Sequence, residues 1–419
     1  VVVGRGIGAQ ALAAVGATSI VVWLTLGFAM GLTRGFCIHI SQAYGKKDYH
    51  LVNRGFFVAS VLSLIVGAMI SIVGSLAIRD FLILMHTPGE ILEQSLDYIK
   101  VILLGFVITV LNNLFMSVLQ SLGDSSTPFW ALLVSSVTNI GLDCVFVLTL
   151  KWGVQGAAAA TVLSQVFSFA ICAAGLKRLK FVSILDGSKS KNARLTVRML
   201  KTGLPVGIMS MVTAVGGMIL QFFVNDLGAS AVAAYAASTK IRSVIGEFSN
   251  ALGMTFMTFV GQNYGAQKYD RIKAGVRMGV LLSILIHIPL SAVEIFGGKR
   301  IASLMVTDPP VLELCRQYLL IVGIFVFFLG FLMVFRNCIQ GMGNTWIPML
   351  SGGLEVFSRL IFGYWLGRHS FMGIAAAEAS AWISVSIMLG SSFFILFRKV
   401  LRTQTPENTT DTKNIRTDS

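Results

Sequence analysis

The sequence has few charged residues: Asp, Glu, Lys and Arg together make up 12% of its 419 residues. Soluble domains carry about 25% charged residues, so this composition excludes an ordinary soluble enzyme. Acidic residues are scarcer than basic ones, 19 against 33, and the formal net charge is +14. Apolar residues make up 55% of the chain, which excludes intrinsic disorder. Apolar runs of about 20 residues, the length that crosses a bilayer, recur along the sequence.

Motifs that carry enzyme chemistry are also missing. The five cysteines stand singly, without a CxxC pair, and the five histidines do not cluster, so neither a metal site nor a redox motif is predicted. No nucleophile–base pair stands out, so we expect a protein that is not an enzyme and needs no cofactor. No basic segment precedes an apolar run at the N-terminus, so no signal peptide is predicted.

The apolar segments predict eleven membrane-spanning helices in this chain. They lie at residues 11–40, 55–78, 98–120, 128–150, 156–176, 198–224, 231–262, 275–296, 315–340, 346–367 and 373–397. Polar and basic residues separate the sixth of these segments from the fifth, and a polar stretch ends the chain. We therefore expect four regions: an N-terminal lobe over 1–176, a basic linker over 177–197, a C-terminal lobe over 198–400 and a tail over 401–419.

An internal repeat organises these segments. A shift of 220 residues aligns the two halves without a gap, so that Gln42 and Gly45 meet Gln262 and Gly265. Under this offset the segment 198–224 has its counterpart before residue 5. We therefore expect an all-α integral membrane protein of twelve spans, built as two six-helix lobes in a parallel repeat, with the first span mostly missing from this chain.

The charges are sorted by loop. If the missing span is helix one, basic loops follow helices two, six, eight and twelve, all on one side of the membrane. The loop after helix three carries acidic residues instead: Asp80, Glu90, Glu93 and Asp97. This positive-inside pattern predicts a multi-pass protein of the inner (plasma) membrane with both termini in the cytoplasm. We expect the lipid bilayer as a partner, no nucleic acid, and a monomer.

Charged side chains inside the predicted spans are the first candidates for function, because a mid-span Asp or Arg costs about 2.5–3.5 kcal/mol on insertion scales. Asp143 lies inside the span 128–150, with Asn139 four residues earlier on the same helical face. Their oxygens could bind a cation, or the carboxylate could take up a proton. The alternative is a carboxylate that neighbouring helices satisfy.

Three charged residues in the second half are further candidates. Glu355 and Arg359 are four residues apart with the acid first, the order that favours an ion pair. This pair is either structural or takes part in transport or gating. Glu378 lies early in the last span, where it could face the membrane interface.

Glu247, near the middle of the span 231–262, is a possible second titratable group in transport or gating. Arg242 is five positions away, so the two side chains point in different directions. The alternative interpretation pairs Glu247 with a residue on another helix, such as Arg34 or Arg336.

Seven short segments, taken in this order and spacing, carry a family resemblance: 8–18, 35–36, 41–45, 120–128, 139–143, 203–205 and 261–266. The chain resembles the multidrug and toxic compound extrusion (MATE) family, in its bacterial DinF-like branch. The resemblance implies a secondary active transporter that exports cationic drugs or toxic organic compounds by sodium or proton antiport. It also implies that Asn139 and Asp143, which match the family's fifth-helix Asn and Asp, belong to the cation site of the first lobe.

The chain departs from that family's pattern at Arg242, where many relatives have an acid, and at Arg34 and His39, where relatives have small or apolar residues. These changes bear on the range of substrates and on activity. The alternative function is a lipid-linked oligosaccharide flippase of the same superfamily. Arg34, Arg242, Arg336 and Arg359 could supply the basic central cavity that such a protein needs, so a cationic cavity wall would favour this alternative.

Overall fold

The computed structural model describes residues 7–183, 186 and 192–402, and it contains helices and no strand over these residues. The end of the expected first span, residues 1–4, lies outside the described residues. So do most of the central part of the expected linker and the expected tail from residue 403 onward.

Eleven helical segments run through the described residues, and each predicted span coincides with one of them. In chain order they are α1 (Ala9–Gly45), α2 (Tyr49–Leu84), α3 (Gly89–Leu104) with α4 (Phe106–Ser121), α5 (Ser126–Asp143), α6 (Gly153–Arg178), α7 (Ala193–Asp226), α8 (Ala229–Gly265), α9 (Tyr269–Ala292) with α10 (Gly298–Ala302), α11 (Pro309–Gly341), α12 (Trp346–Phe362) and α13 (Phe371–Arg402). Three π-helical turns extend α5, join α9 to α10 and extend α12: Cys144–Thr149, Val293–Gly297 and Gly363–Gly367.

Eight of these helices are long and apolar enough to cross a membrane, and the pair α3 and α4, bent by 47°, makes a ninth span. The two remaining segments, α8 and α12, carry several of the charged residues singled out above. Large apolar side chains cover much of the outer surface, among them Leu76, Phe296 and Trp365. Such a surface suits contact with lipid rather than water.

The helix boundaries repeat with the 220-residue offset that the sequence shows. Helices α1 and α8 begin and end at corresponding residues, as do α11 and the bent pair α3–α4. The residues before α1 and α8, Gly8 and Gly228, have φ angles of 121° and 92°, a region that side chains other than glycine rarely adopt. The sequence repeat is therefore a structural repeat.

The helices form two lobes, α1 to α6 and α7 to α13. The largest hydrophobic core consists of residues from Leu220 to Phe397, all in the second lobe. Another core joins α1, α2, α4 and α6 with the first turns of α7, through Leu195 and Met199. The lobes meet along α1, which packs against both α7 and α8.

Candidate functional site

The two lobes touch where α1 and α8 end, just before the lysine-containing loops 46–48 and 266–268. We call this end of the molecule the basic-loop end. A Cβ atom built on Gly45 would lie 1.9 Å from the carbonyl oxygen of Gln262, and one built on Gly265 would lie 2.0 Å from a carbonyl oxygen of α1. The helices α1 and α8 therefore approach with backbone against backbone, which glycine alone permits.

Two glutamines seal the same end. The Gln42 Nε2 atom donates a hydrogen bond of 2.9 Å to the carbonyl oxygen of Gly341, and the Gln262 Nε2 atom donates one of 2.9 Å to the carbonyl oxygen of Ser121. The 220-residue offset relates both the donors and the acceptors. Each lobe thus contributes a glutamine and a helix C-terminus to one symmetric closure.

At the opposite end, which we call the far end, the lobes separate. Helices α1 and α7 are in tight contact near Gly35, where an added Cβ would lie 2.5 Å from the Gly203 Cα atom. Nearer the far end, nothing lies within 4 Å of a Cβ built on Gly16 or Gly217. A cavity of about 610 Å³, whose wall includes Trp23, opens between the two helices there.

A second cavity of about 620 Å³ lies between the lobes and is lined by α1, α4, α5 and α8. Its wall carries a chain of polar side chains that crosses the lobe boundary. The Arg34 Nη1 atom donates to the Asn250 Oδ1 atom at 3.3 Å, and the Asn250 Nδ2 atom donates to the Glu247 Oε2 atom at 3.4 Å. We call this the central cavity. Glu247 therefore faces the cavity, linked through Asn250 to the arginine that the sequence suggested as its partner.

The wall of the central cavity is not cationic. Of the four arginines that could have made it so, Arg34 lines the cavity, and it lies beside an acid. The other three, Arg242, Arg336 and Arg359, lie in ion pairs inside the second lobe. The feature that would favour a flippase is therefore not found.

Those three arginines form a buried network with two glutamates. Arg336 and Arg359 each place an Nη2 atom 3.0 Å from a different Glu355 oxygen. The Glu378 Oε1 atom lies 2.9 Å from the Arg242 Nη2 atom and 3.8 Å from the Arg359 Nη2 atom. We call these five residues the second-lobe ion network. It ties together α8, α11, α12 and α13, and it confirms the pair of Glu355 with Arg359 that their spacing predicted.

Burial makes this network energetically demanding. Four of its side chains are at most 6% exposed, and Arg242 is 23% exposed. The Tyr318 hydroxyl also donates to Glu378, and the Arg242 guanidinium lies over the Trp382 ring. The expectation that Glu378 faces the membrane interface is therefore wrong, because its partners on α8, α11 and α12 draw it into the core of the lobe.

The pair predicted in the first lobe lies at the end of α5, where the helix passes into a π turn. The Asn139 Nδ2 atom donates to the Thr161 Oγ1 atom of α6 at 3.4 Å. Asp143, one turn later, has a buried Oδ1 atom without a hydrogen-bond partner among the described residues. Tyr98 of α3 interacts electrostatically with this carboxylate. The structure thus shows a half-buried carboxylate with spare capacity to accept a proton or a cation.

Sequence reasoning missed one buried acid. Glu294 lies in the π turn between α9 and α10 and is 1% exposed. No acidic or basic residue lies three or four positions from Glu294, so its spacing does not mark it as part of an ion pair. A single glutamate inside an apolar run was the available signal, because such a residue is costly in a membrane.

The apolar helices, the two repeated lobes and the cavity between them define a multi-pass membrane transporter. The sequence profile of the MatE family matches residues 1–145 and 205–365. The chain therefore belongs to the MATE family, as the resemblance predicted.

Similar proteins agree with this assignment. The chain is 28% identical over 395 residues to the "probable multidrug resistance protein YoeA" of Bacillus subtilis (strain 168), covering 89% of this chain and 85% of YoeA. A solved MATE structure in a bent conformation matches with a TM-score of 0.89 and 23% identity, over 96% of this chain and 90% of that one. An outward-facing MATE transporter matches with a TM-score of 0.88 and 23% identity, over 94% and 90%. These structures establish the all-helical, two-lobed fold.

Proposed function

We propose that this protein is a secondary active transporter that exports small organic cations, including drugs and toxic compounds, in exchange for sodium ions or protons. The observation that carries the proposal is the asymmetry of the lobe boundary. The lobes are sealed by Gln42 and Gln262 at the basic-loop end and part near Trp23 at the far end. This is one of the two states that alternating access requires. The similarity to a probable multidrug resistance protein supports the choice of substrate class.

We infer the orientation from charge. Basic loops favour the cytoplasmic side, so the basic-loop end lies in the cytoplasm and the protein lies in the plasma membrane. The far-end cavity then faces outward, and the glutamine closure separates it from the cytoplasm. Each chain contains its own cavity, so the proposed transporter works as a monomer.

Asp143 and Asn139 are the proposed coupling site. The buried Asp143 oxygen, which has no hydrogen-bond partner among the described residues, suits the uptake of either ion. A proton would neutralise the carboxylate, and a sodium ion would use its oxygens together with the Asn139 amide oxygen. Either event removes a buried negative charge from the first lobe. A ligand shifts a conformational equilibrium by its difference in affinity for the two states, so binding at Asp143 would favour one packing of the lobes over the other.

Glu247 is the proposed substrate contact. It is exposed on the wall of the central cavity, where its carboxylate would attract an organic cation. Arg34 lies beside it and would compete for the same carboxylate.

The test is the uptake of a fluorescent cationic drug into inside-out vesicles that carry the full-length protein. A sodium gradient and a proton gradient would be imposed separately. Asp143→Asn should abolish uptake, whereas the matched variant Asp80→Asn, an exposed acid of the same lobe, should leave it intact. Folded wild-type protein that moves no drug under either gradient would refute the proposal. Unchanged uptake in Asp143→Asn would place the coupling site elsewhere.

A further inference from the structure

The second lobe holds a buried carboxylate that forms no ion pair with any arginine in the described part of the chain. Neither oxygen of Glu294 has a hydrogen-bond partner among the described residues, and the residue is 1% exposed. The other two buried glutamates of the described chain, Glu355 and Glu378, are both in direct ion pairs. An ionised carboxylate without a partner is costly in an apolar medium, and uptake of a proton removes that cost.

Glu294 ends a buried polar stripe on one face of α9 and the π turn that follows it. Ser283, His287, Ser291 and Glu294 are spaced by four, four and three residues, which is the spacing of one helical face. The His287 Nδ1 atom lies 2.7 Å from the Ser283 carbonyl oxygen, and the Ser291 hydroxyl donates to α11 at 2.7 Å.

Two glycines of α11 make room for this stripe. A Cβ atom built on Gly330 would lie 2.6 Å from the His287 Cε1 atom, and one built on Gly323 would lie 3.1 Å from the Glu294 Cβ atom. Small residues of this kind allow two membrane helices to approach closely and pack around polar side chains. The polar stripe is therefore enclosed by the lobe and does not face lipid.

Helix α8 places Arg242 of the second-lobe ion network at the same depth in the membrane as Glu294. The Ser249 Oγ atom lies 2.8 Å from the His287 Nε2 atom. Seven residues before Ser249 on α8 is Arg242, and seven residues after His287 on the antiparallel α9 segment is Glu294. Two turns of helix span seven residues, so Arg242 and Glu294 share one depth in the membrane.

The charged groups that act on Glu294 come from different helices. Arg242 of α8 attracts its ionised form, and Glu378 of α13 repels it. Tyr318 of α11 donates its hydroxyl to Glu378 and also interacts with Arg242. On its own segment, the titratable residue of the buried stripe is His287, seven residues away, and Lys299 and Arg300 of α10 are exposed.

We propose that Glu294 is a proton-binding site of the second lobe, coupled to the pair of Arg242 with Glu378. A hydronium ion gives up the proton: one of its O–H bonds breaks, an O–H bond forms on one carboxylate oxygen of Glu294, and water is left. When Glu294 is ionised, its negative charge and those of the two network glutamates balance the three positive charges of the network arginines. Protonated Glu294 leaves one positive charge in excess, and Arg242 then has Glu378 as its sole acid.

If Glu294 binds a proton during transport, the proton is a coupling ion of the proposed transporter. This part of the inference rests on the proposed function. Arg242 and the cavity residue Glu247 are on the same helix, α8. A change in the pairing of Arg242 acts on that helix and so on the wall of the central cavity. The excess positive charge of the protonated lobe disfavours a bound organic cation, which is the direction that export requires.

The direct test measures proton binding without transport. Infrared difference spectra of the full chain in lipid nanodiscs, recorded between acidic and alkaline buffers, would detect the carbonyl band of a protonated carboxylic acid. Glu294→Gln should lose one such band, and Glu294→Asp should keep a shifted one. The matched control Glu313→Gln removes an exposed glutamate of α11 and should change nothing in that region. A spectrum of folded Glu294→Gln that equals that of the wild type would overturn the proposal.

Transport measurements distinguish a failure of this proposal from a failure of the proposed function. Glu294→Gln should slow drug uptake driven by a proton gradient at least about fivefold, the lower range of measured couplings between sites. Glu294→Asp should restore part of that uptake. Full proton-driven uptake in Glu294→Gln, with Asp143→Asn inactive, would sink the role of Glu294 and leave the proposed function standing. Wild-type protein without any drug uptake would sink the proposed function, while the infrared result would still decide whether Glu294 binds a proton.

Discussion

Gln42 and Gln262 make the same hydrogen bond from opposite sides of the lobe boundary, each to the last helical carbonyl of the other lobe's matching helix. The two donors are 220 residues apart, as are the two acceptors. The internal repeat is therefore expressed in the contact that closes the transporter as well as in its helices. Because the closure is built from two equal halves, each half can be weakened separately.

Removing both glutamines should open the basic-loop end. A hydrogen bond of this kind contributes about 0.5–1.5 kcal/mol, so Gln42→Ala with Gln262→Ala should shift the equilibrium between the two states by about 2 kcal/mol. Distances between spin labels placed on loops 46–48 and 266–268 would report the shift. Gln155→Ala, an exposed glutamine of α6, is the control. Identical distance distributions in the double variant and the wild type would show that the glutamines do not hold the closure.

Adding a methyl group at the helix crossing should block closure by steric overlap. Gly265→Ala would place a Cβ atom 2.0 Å from a carbonyl oxygen of α1, and overpacking typically costs about 1–3 kcal/mol. We expect a cysteine introduced beside the crossing to react faster with a thiol reagent, and drug uptake to fall. Gly353→Ala, where nothing lies within 4 Å of the added atom, should behave as the wild type. Equal labelling rates in the two alanine variants would contradict this reading of the interface.

Breaking the second-lobe ion network should destabilise the protein strongly. Glu355→Gln leaves Arg336 buried without its acid and leaves Arg359 only the longer contact with Glu378, and the loss of one partner from a buried pair costs about 3–5 kcal/mol. The thermal unfolding temperature in detergent should drop accordingly. Glu313→Gln removes an exposed glutamate that also contacts arginine and should leave that temperature unchanged. A Glu355→Gln protein that melts with the wild type would mean that the network is dispensable for stability.

The two charges on the wall of the central cavity should affect substrate binding in opposite directions. Glu247→Gln should weaken the binding of a cationic drug, and Arg34→Gln should strengthen it, each by about fivefold, because a partly exposed charge pair contributes up to about 1 kcal/mol. Fluorescence titration of the purified protein would measure both changes. A neutral dye of similar shape should bind both variants alike. Equal losses of cation and neutral dye would indicate a change in cavity shape rather than in charge.

The sequence alone determined most of the architecture. Membrane helices are selected by apolar length, so the predicted spans coincide with the helical segments. The constant offset predicted the repeat, and the structure shows it in the matching ends of α1 and α8. The pair of Glu355 with Arg359 was also predictable, since a spacing of four residues sets a contact within one helix. Each of these features depends either on residues that are close together in the chain or on a pattern that extends along the whole sequence.

Tertiary structure decided the rest, because contacts between helices depend on how distant faces pack. Glu378 was placed at the membrane interface by its position near a helix start, yet partners from three other helices bury it. Glu294 has no local partner, so its place beside Arg242 emerges from the register between α8 and α9. The reach of Gln42 to Gly341 spans nearly 300 residues of chain. Helical periodicity tells which residues share a face, and packing alone tells which faces meet.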